Sequence, residues 1–202
     1  MIFDEVFELM TGHIDPETLT KSLADVHLKG VFSLVVGGTE NGNLTRIFIA
    51  NKKIKPFDIQ FHSHRYDLTI GVVHGCFEHH VALEETDQSY YNAESVRLKT
   101  YVYRAPLNGG NGLVRTGISN WRLESTQLPV GSEIFLPSDL VHSVSCSKGT
   151  IWIVKEHGFV EESSVVLGNS FITEGLYNQP QQYQVNDNFQ LVLEKLKKLV
   201  DN

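Results

Sequence analysis

Two histidines in the middle of the chain have the spacing of metal ligands. His62 and His64 are separated by one residue, and in a β-strand this spacing of two points both imidazoles to the same face. Neutral imidazoles bind Zn, Fe, Cu, Ni and Mn, so the pair supplies half of a metal site. A partner segment lies downstream, where Pro137 ends one strand and His142 begins the next alternating strand after a polar turn.

The elements that must position these histidines are short strands. Two helices are predicted before residue 30, the second with Asp15 as N-cap and Pro16 at the first helical position, and a final helix is predicted from Asn186 or Asp187. Between them the pattern favours strands at 31–36, 44–51, 57–62, 69–74, 76–83, 96–103, 114–116, 121–128, 132–136, 142–146 and 151–155. Many short strands with helices only at the ends predict a closed or nearly closed antiparallel β-barrel with room for one small ligand.

Over about residues 44 to 160 the sequence resembles the cupin superfamily. The first cupin motif is Gly, five residues, His-x-His, three or four residues, Glu, six residues, Gly, and here these places hold Pro56, His62, His64, Leu68 and Gly75. The second motif is Gly, five residues, Pro, x, Gly, two residues, His, three residues, Asn, and here these places hold Gly131, Pro137, Asp139, His142 and Cys146. Leu68 in the Glu place removes the usual carboxylate ligand.

The resemblance implies a mainly β fold, a single cupin barrel (double-stranded β-helix or jelly roll) with N-terminal and C-terminal helices. The expected organisation is a helical segment at 1–30, the barrel at 31–170 with a hairpin insertion at about 86–118, and a tail with the last helix at 171–202. The chain also resembles uncharacterised bacterial and phage cupins with His-x-His-Pro-Trp-Asp-Phe at the place of residues 62–68. A more distant likeness is to cysteine-dioxygenase-like three-His cupins, because Arg46 lies in a strand ahead of the histidines, although residues 153–157 lack their Ser-x-His-x-Tyr triad.

Both motifs together predict that His62, His64 and His142 bind one divalent first-row transition metal and leave open positions for water or substrate. Cupins without the Glu hold iron with three histidines, so the resemblance implies Fe2+ first, with Zn, Ni or Mn as alternatives. The competing interpretation is that the histidines are a signature of the fold and are hydrogen-bonded in a polar cavity.

Two residues are candidates for acid/base catalysis. His74 is six residues beyond Leu68, so strict alternation puts it on the cavity side, with a hydrogen-bonded core histidine as the alternative. Tyr66 is the other candidate, and together with Arg46 and Arg122 it is also considered for recognition of an anionic substrate, against a simpler position at the rim or surface.

The remaining polar and aromatic candidates are given structural roles. Asp67 becomes a fourth ligand only if a bulge turns it inward, and a turn aspartate that accepts backbone N–H bonds or pairs with Arg65 is favoured. His79 and His80 are not expected to be ligands, and Cys146 is expected to be an inert thiol facing the cavity. Core positions are expected for Trp121, Trp152 and Phe135.

Composition limits the classes of function. A chain of 202 residues with 41% hydrophobic content suits one globular domain. The net charge of −7 argues against nucleic acid as a partner, and no run of apolar residues reaches the length of a membrane span. With no signal-peptide pattern at the amino terminus and only two cysteines, the cytoplasm is the expected compartment.

The first functional hypothesis is a metal-dependent small-molecule enzyme, most plausibly a non-haem iron dioxygenase-like oxidoreductase acting on a small polar or acidic substrate. The alternatives are a non-catalytic cupin that binds a small ligand and a metal-free sugar epimerase or isomerase that uses His and Tyr as acid and base. The expected partner is thus a small molecule. Anionic ligands are favoured, because no protein carboxylate offsets the charge of a metal held by three histidines. Cupins commonly pair through edge strands, so the resemblance also implies a homodimer.

Overall fold

The computed structural model describes residues 1–38, 42–85, 95–104, 112–168, 181–182 and 187–201. In this part of the chain there are three helices, α1 (Ile2–Thr11), α2 (Pro16–Leu19) and α3 (Asp187–Val200). None of these helices is long and apolar enough to cross a membrane.

The rest of the described chain is built of strands. In chain order, β1 to β12 are Leu23–Ala24, Val31–Gly37, Thr45–Ala50, Tyr66–His74, Phe77–Glu84, Ser95–Arg104, Gly112–Leu128, Glu133–Leu136, His142–Cys146, Ile151–Phe159, Ser164–Gly168 and Gln181–Gln182.

Within the described residues the strands form two antiparallel sheets. The first has the order β12-β1-β2-β3-β10-β4-β8 and the second the order β11-β6-β7-β5-β9. Along the chain the strands change sheet from β4 to β5, β7 to β8, β8 to β9, β9 to β10, β10 to β11 and β11 to β12, so the two sheets are wound together as a jelly roll. The expected fold class, mainly β with helices at both ends, is confirmed.

The first sheet is buried on both faces. Its inner face carries Phe48, Leu68 and Trp152 into the core between the sheets, whereas Ile47 and Ile153 point outward. That outer face is covered by α1 and α3, which add residues such as Val6 and Val192 to a second apolar cluster. Because α1 has its apolar residues at helical spacing, one side of the helix closes this cluster while the acidic side faces water.

The second predicted helix is much shorter than the sequence indicated. The cap is confirmed, since Asp15 Oδ1 accepts a hydrogen bond from the Glu17 N–H, but the helix ends at Leu19. The following residues pair as β1 with β2, and Ser22 Oγ accepts the Val35 N–H. Tertiary pairing therefore overrides the helical spacing of Leu23 and Val26 that the sequence suggested.

Three strand predictions also need correction. Residues 57–62 do not form a strand, because Phe57 lies in a turn at φ 69° and only His62, at the end of the segment, makes isolated bridges. The strands predicted at 114–116 and 121–128 are one continuous strand, β7. The strand predicted as a candidate edge, β6, is paired on both sides, with β7 and β11.

Several predicted features lie outside the described residues. These are the polar stretch from 86 onward, most of the turn at 108–112, the tail at 171–180 and the helix cap at Asn186. The division of the chain at residues 30 and 170 stays a prediction.

Candidate metal centre

Backbone pairing brings His62 and His142 side by side. The His62 N–H donates to the His142 carbonyl at 2.8 Å, and the His142 N–H donates back to the His62 carbonyl at 2.9 Å. Residues directly opposite each other in an antiparallel pair have side chains on the same face, so both imidazoles enter the same space. His64 is fixed by its own N–H, which donates to the Ser138 carbonyl at 2.9 Å.

The same segment also pairs on its other side. His62 bridges to Val166 of β11, and the Ser63 N–H donates to the Val165 carbonyl at 2.9 Å. The short segment around His62 is therefore held between β9 and β11, although it is not itself a regular strand. This two-sided pairing makes the placement of the first two histidines rigid.

The three predicted histidines form one cluster. One ring nitrogen from each of His62, His64 and His142 lies within 4.8 Å of the others. The Nε2 atoms of His64 and His142 are 2.8 Å apart. His62 Nδ1 is 2.8 Å from the Gln60 carbonyl oxygen, which can only accept, so this nitrogen carries the proton and Nε2 keeps a free lone pair.

A fourth histidine stands behind the cluster. His79 Nε2 lies 3.0 Å from His142 Nδ1, on the opposite side of the imidazole from His64. His79 and His142 are both buried, with 7% and 4% of their surfaces exposed. Each ring nitrogen of His142 thus lies within hydrogen-bond distance of another histidine, His64 or His79.

The cluster is neutral at ordinary pH. Burial lowers the pKa of His62, and for His64 and His142 burial followed by the neighbouring histidines holds the pKa well below 6.5. Burial and the adjacent His80 lower the pKa of His79 to about 4. Neutral imidazoles have a lone pair to offer, which is the form in which histidine binds metals.

No carboxylate belongs to this cluster in the described part of the chain. Leu68, in the place of the cupin Glu, is buried on the wall of the cavity. Asp67 is used elsewhere, because its Oδ1 accepts the Ser138 N–H at 2.8 Å. This contact is the turn role that the sequence favoured for Asp67.

The histidines line a cavity of about 300 Å³ between the sheets. A volume of this size is at the lower end of the range for small-molecule sites. Apolar residues form much of its wall, among them Phe48, Leu68, Ile70 and Trp152. Trp152 was expected in the core, and it is buried there while also facing this space.

A buried ion pair borders the cavity. Arg46 Nε donates to Glu156 Oε1 at 3.1 Å, and Glu156 Oε2 accepts the N–H groups of Gly42 at 2.6 Å and Leu44 at 3.2 Å. The Arg46 and Glu156 side chains are only 17% and 2% exposed. Arg46 is therefore at the cavity wall, not on the outer surface, and Glu156 is held by several donors.

Of the two predicted acid/base residues, only Tyr66 reaches the cavity. Its ring lies 6.0 Å from the His64 ring, and its hydroxyl is hydrogen-bonded to Glu156. Burial first and the Glu156 charge second raise the pKa of Tyr66 to about 12, so the phenol stays protonated at neutral pH.

His74 does not face the cavity, contrary to the expectation from strict alternation. A register shift at the end of β4 pairs His74 with Ile151, while Val72 pairs with Trp152, so one extra residue interrupts the alternation. Since Ile151 points toward the helices, its partner His74 does too, and the His74 side chain is exposed near Lys195 of α3.

Other predicted candidates occupy surface or core positions. Arg122 is about half exposed and pairs with Glu124 at 3.0 Å. Cys146 is buried in the apolar core and does not line the cavity, contrary to the expectation, and burial raises the pKa of its thiol to about 11. Trp121 is buried, but Phe135 is 60% exposed and the prediction of a core position for it is wrong.

The histidine positions and the strand order together decide the fold type. A common cavity lies between two pairs of elements: the His62 segment with β9 on one side, and β4 with β10 on the other. The last Gly of the first motif, Gly75, and the first Gly of the second, Gly131, lie in turns at φ 93° and φ 85°. The chain has the cupin fold.

No family model matches the chain, and no curated protein matches it. Among solved structures, FeII HppE in complex with substrate matches with 10% identity and a TM-score of 0.40, over 71% of this chain and 60% of that chain. An RmlC-like cupin from Shewanella frigidimarina matches with 15% identity and a TM-score of 0.34, over 79% of this chain and 94% of that chain.

A third similar structure is the cupin domain of Drosophila melanogaster CENP-C, with 12% identity and a TM-score of 0.26 over 81% of this chain and 91% of that chain. The chain spans about 60% of the length of the HppE chain that it matches. At these identities and TM-scores the chemistry of this cupin rests on its own residues.

Three residues of the site carried no usable signal in the sequence. Glu156 belongs to neither cupin motif, His79 is one of two adjacent histidines of which at most one faces inward, and the pattern around His27 predicts a helix. In the structure His27 is exposed at the cavity wall, with its ring 5.1 Å from the His62 ring. The surrounding protein, His62 and Arg46 lower the pKa of His27 below 6.5. Only the alternation of β5 and β10 hinted at the inward side of His79 and Glu156.

Proposed function

We propose that this cupin is a metal-dependent small-molecule enzyme in which His62, His64 and His142 hold one divalent first-row transition metal. The observation that carries the proposal is the cluster of three neutral imidazoles with ring nitrogens within 4.8 Å on a cavity wall. Three nitrogen ligands leave positions for a substrate, which is the arrangement of catalytic rather than structural sites. Fe2+ with dioxygenase-like chemistry is the first candidate, and Zn, Ni or Mn are alternatives.

The donor set fits such an ion. Nitrogens bound to one ion at about 2.1 Å lie roughly 3.0–3.4 Å apart. The 2.8 Å between the Nε2 atoms of His64 and His142 and the 4.8 Å limit of the cluster lie on either side of this range. Small rotations of the imidazoles are enough to bring the three nitrogens to a common centre.

The metal would supply a Lewis acid and, if redox-active, a binding position for O₂. The protein's own residues do the rest. Gln60 fixes the tautomer of His62, and Leu68 keeps the site free of a protein carboxylate, so an ion held here retains its charge and favours anionic ligands. Tyr66 lies beside His64 and stays protonated, and because its one O–H donates to Glu156, its oxygen is left as an acceptor for a donor group on a bound molecule.

Metal content of the purified protein tests the proposal. Elemental analysis is expected to give about one transition metal per chain, and His62→Ala, His64→Ala and His142→Ala are each expected to lose nearly all of it. Asp67→Asn is the matched control, because its carboxylate is bound to the Ser138 N–H and not to the cluster. If Asp67→Asn strips the metal as completely as His64→Ala, Asp67 is a ligand and the three-histidine assignment is wrong.

Activity is tested separately. Iron-loaded protein is screened for O₂ consumption against small organic acids, with His142→Ala as the inactive control. Metal bound without any substrate-dependent O₂ uptake would favour the non-catalytic ligand-binding cupin over a dioxygenase.

One observation favours a second candidate. His64 Nε2 and His142 Nε2 are within hydrogen-bond distance of each other, with Tyr66 alongside, which is also the arrangement of a metal-free acid/base site. An epimerase or isomerase of this type would keep its activity in a chelator, whereas the metal enzyme would lose it.

The proposal includes a cytoplasmic location. It is supported by the two free cysteines, Cys76 exposed and Cys146 buried, since exposed free thiols are typical of reducing compartments.

A further inference from the structure

The cavity wall changes from polar to apolar along three neighbouring strands of the first sheet. On β10 the inward residues run from Glu156 through Val154 to Trp152. On β3 they run from Arg46 to Phe48, with Arg46 opposite Val154 and Phe48 opposite Trp152 in the register. The wall near Glu156 and Arg46 is therefore charged. The wall at the other end is formed by the stacked rings of Phe48 and Trp152, whose centroids are 5.3 Å apart.

Strand β4 repeats this order. Its inward residues run from Tyr66 through Leu68 to Ile70, and all three line the cavity. Tyr66 is hydrogen-bonded to Glu156, which puts the polar residues of β4 and β10 at the same end.

The second sheet has the same gradient. On β9 the inward residues run from His142 to Val144, and both line the cavity. Since His142 contacts His64, which stacks near Tyr66, the histidine cluster lies at the polar end. The cavity is thus polar at the histidines and apolar at Val144, Phe48 and Trp152.

The polar end carries an excess of positive charge among the described residues that line it. Two guanidinium groups, Arg46 and Arg65, and one carboxylate, Glu156, are among the residues that line the cavity. The Glu156 carboxylate is bound to Arg46 and two backbone N–H groups, whereas the Arg65 guanidinium lies over the Phe159 ring, 5.3 Å from its centroid. A divalent ion on three neutral imidazoles would add to this excess. A bound anion is therefore favoured at the histidines, whereas a cation is opposed.

From this gradient we infer that the ligand of the cavity is a small organic anion with an apolar body. Its charged group lies at the histidine cluster, and an aromatic or branched aliphatic body lies against Phe48, Val154 and Trp152. This inference rests on the proposed metal site for the position of the charged group, and it narrows the substrate from any small polar acid to an amphipathic one. Burial of the body removes apolar surface from water, which supplies affinity that a small hydrophilic acid cannot gain here.

Three probe molecules separate the two parts of the inference. Phenylacetate carries the anion and the apolar body, acetate carries only the anion, and 2-phenylethanol carries only the body. Zinc-loaded protein is used because zinc has no redox chemistry, and its zinc content is measured in the same sample. Phenylacetate is expected to bind at least about tenfold more tightly than either of the other two probes.

Trp152 provides a readout that is independent of activity. The chain has two tryptophans, and Trp121 belongs to a separate apolar cluster, so the Trp121→Phe variant leaves fluorescence from the cavity wall alone. Phenylacetate is expected to change this fluorescence with saturation. Calorimetry on the unaltered protein gives the same dissociation constant if Trp121→Phe folds poorly.

A matched pair of variants tests the position of the body. Val154→Thr adds a hydroxyl to the cavity wall without changing the size of the side chain, and it is expected to weaken phenylacetate binding by about tenfold but not acetate binding. Val73→Thr is the control, because Val73 is also buried, at 2% exposure against 9% for Val154, but lies in the cluster under the helices and does not line the cavity.

The outcomes are distinguishable. With zinc bound, equal affinities for acetate and phenylacetate, or for phenylacetate and 2-phenylethanol, would overturn the inference and leave the proposed metal site intact. If zinc does not bind while phenylacetate still binds most tightly and responds to Val154→Thr, the metal proposal fails and the inference about the ligand is supported.

Discussion

His142 is fixed at both nitrogens of its ring. Its Nδ1 faces His79 Nε2 at 3.0 Å and its Nε2 faces His64 Nε2 at 2.8 Å. If Nδ1 carries the proton and donates a hydrogen bond to His79 Nε2, the lone pair of His142 Nε2 points into the cluster. A partner that holds the second nitrogen of a ligating histidine selects its tautomer and orients the ring.

Replacement of His79 is therefore expected to weaken metal binding without removing a ligand. For His79→Leu we expect the dissociation constant of Zn2+, measured by competition with a coloured chelator, to rise about 10–100-fold. For His142→Ala we expect no measurable binding at the site. His80→Leu is the control, because His80 is adjacent and equally buried but is bonded to Ser125 and Ser145.

If His80→Leu weakens zinc binding as much as His79→Leu, the effect comes from damage to β5 and not from the contact with His142. An unchanged affinity in His79→Leu would mean that His142 needs no partner at Nδ1.

For individual residues, the sequence predicted the candidate metal ligands but not the neighbouring side chains that orient them. His62 and His64 were found because a spacing of two is visible in one strand, and His142 because its motif has a fixed form. His79 lies 63 residues from His142, so no local pattern connects them. Alternation failed for His74 because a register shift, which the sequence does not display, reverses the facing of the last residue of β4.

Among the elements, the tight turn between β4 and β5 depends on a glycine. Gly75 has φ 93°, and a Cβ added there would lie 2.4 Å from Thr150 Oγ1 and 2.8 Å from Thr150 Cα. Both the left-handed backbone and the close approach exclude a larger residue. This turn carries the chain from the first sheet to the second, so its geometry also sets the position of β5 behind the cluster.

We therefore expect Gly75→Ala to lower the free energy of unfolding by about 2 kcal/mol or more, measured by urea denaturation. Gly117→Ala is the matched control in strand β7, since a Cβ there meets nothing within 4 Å and the backbone φ is not positive. That variant is expected to change stability by less than about 0.5 kcal/mol. Equal effects of the two substitutions would show that the close approach to Thr150 does not constrain the turn.

The strands were predicted where one face, or both faces, are buried. Strands β2, β3 and β10 follow from apolar runs that the sequence displays directly, and β9 follows from the alternation of its residues. The segment at 57–62 was misread because its apolar residues Phe57, Ile59 and Phe61 alternate as a strand would, whereas Phe57 adopts a left-handed turn conformation. There the Lys55 N–H donates to Asp58 Oδ2 at 2.8 Å, a local side-chain bond that competes with strand pairing.

For the whole molecule, the features that the sequence could not supply are those made by strands far apart in the chain. The ion pair of Arg46 with Glu156 joins residues 110 positions apart, and the gradient of polarity in the cavity emerges only when β3, β4 and β10 are aligned. The motifs located one end of the cavity. The sequence predicts Trp152, at the apolar end, as a core residue, so the substrate expected from the sequence is only a small polar or acidic molecule.

The same burial that makes the cluster neutral has a consequence for stability. Four buried or half-buried histidines, His62, His64, His79 and His142, have pKa values below the ordinary 6.5 in the folded chain, chiefly because burial disfavours the charged form. In the unfolded chain they take up protons near pH 6.5. Below that pH the unfolded state therefore binds more protons than the folded state, and acid favours unfolding.

Metal-free protein is accordingly expected to lose stability as the pH falls from 7 to 5. Each proton bound only by the unfolded chain contributes a slope of about 1.4 kcal/mol per pH unit, and urea denaturation at pH 7, 6 and 5 measures the sum. His142→Asn removes one of these groups and is expected to flatten the slope, whereas His13→Asn, at an exposed position, is not. Bound metal requires the neutral imidazoles that the folded chain already has, so loaded protein should be more stable than metal-free protein by a similar amount at each pH, an increment that a chelator removes. Constant stability between pH 7 and 5 in the metal-free protein would mean that the histidines are protonated in the folded state, and neutral imidazoles could then no longer be assumed at the site.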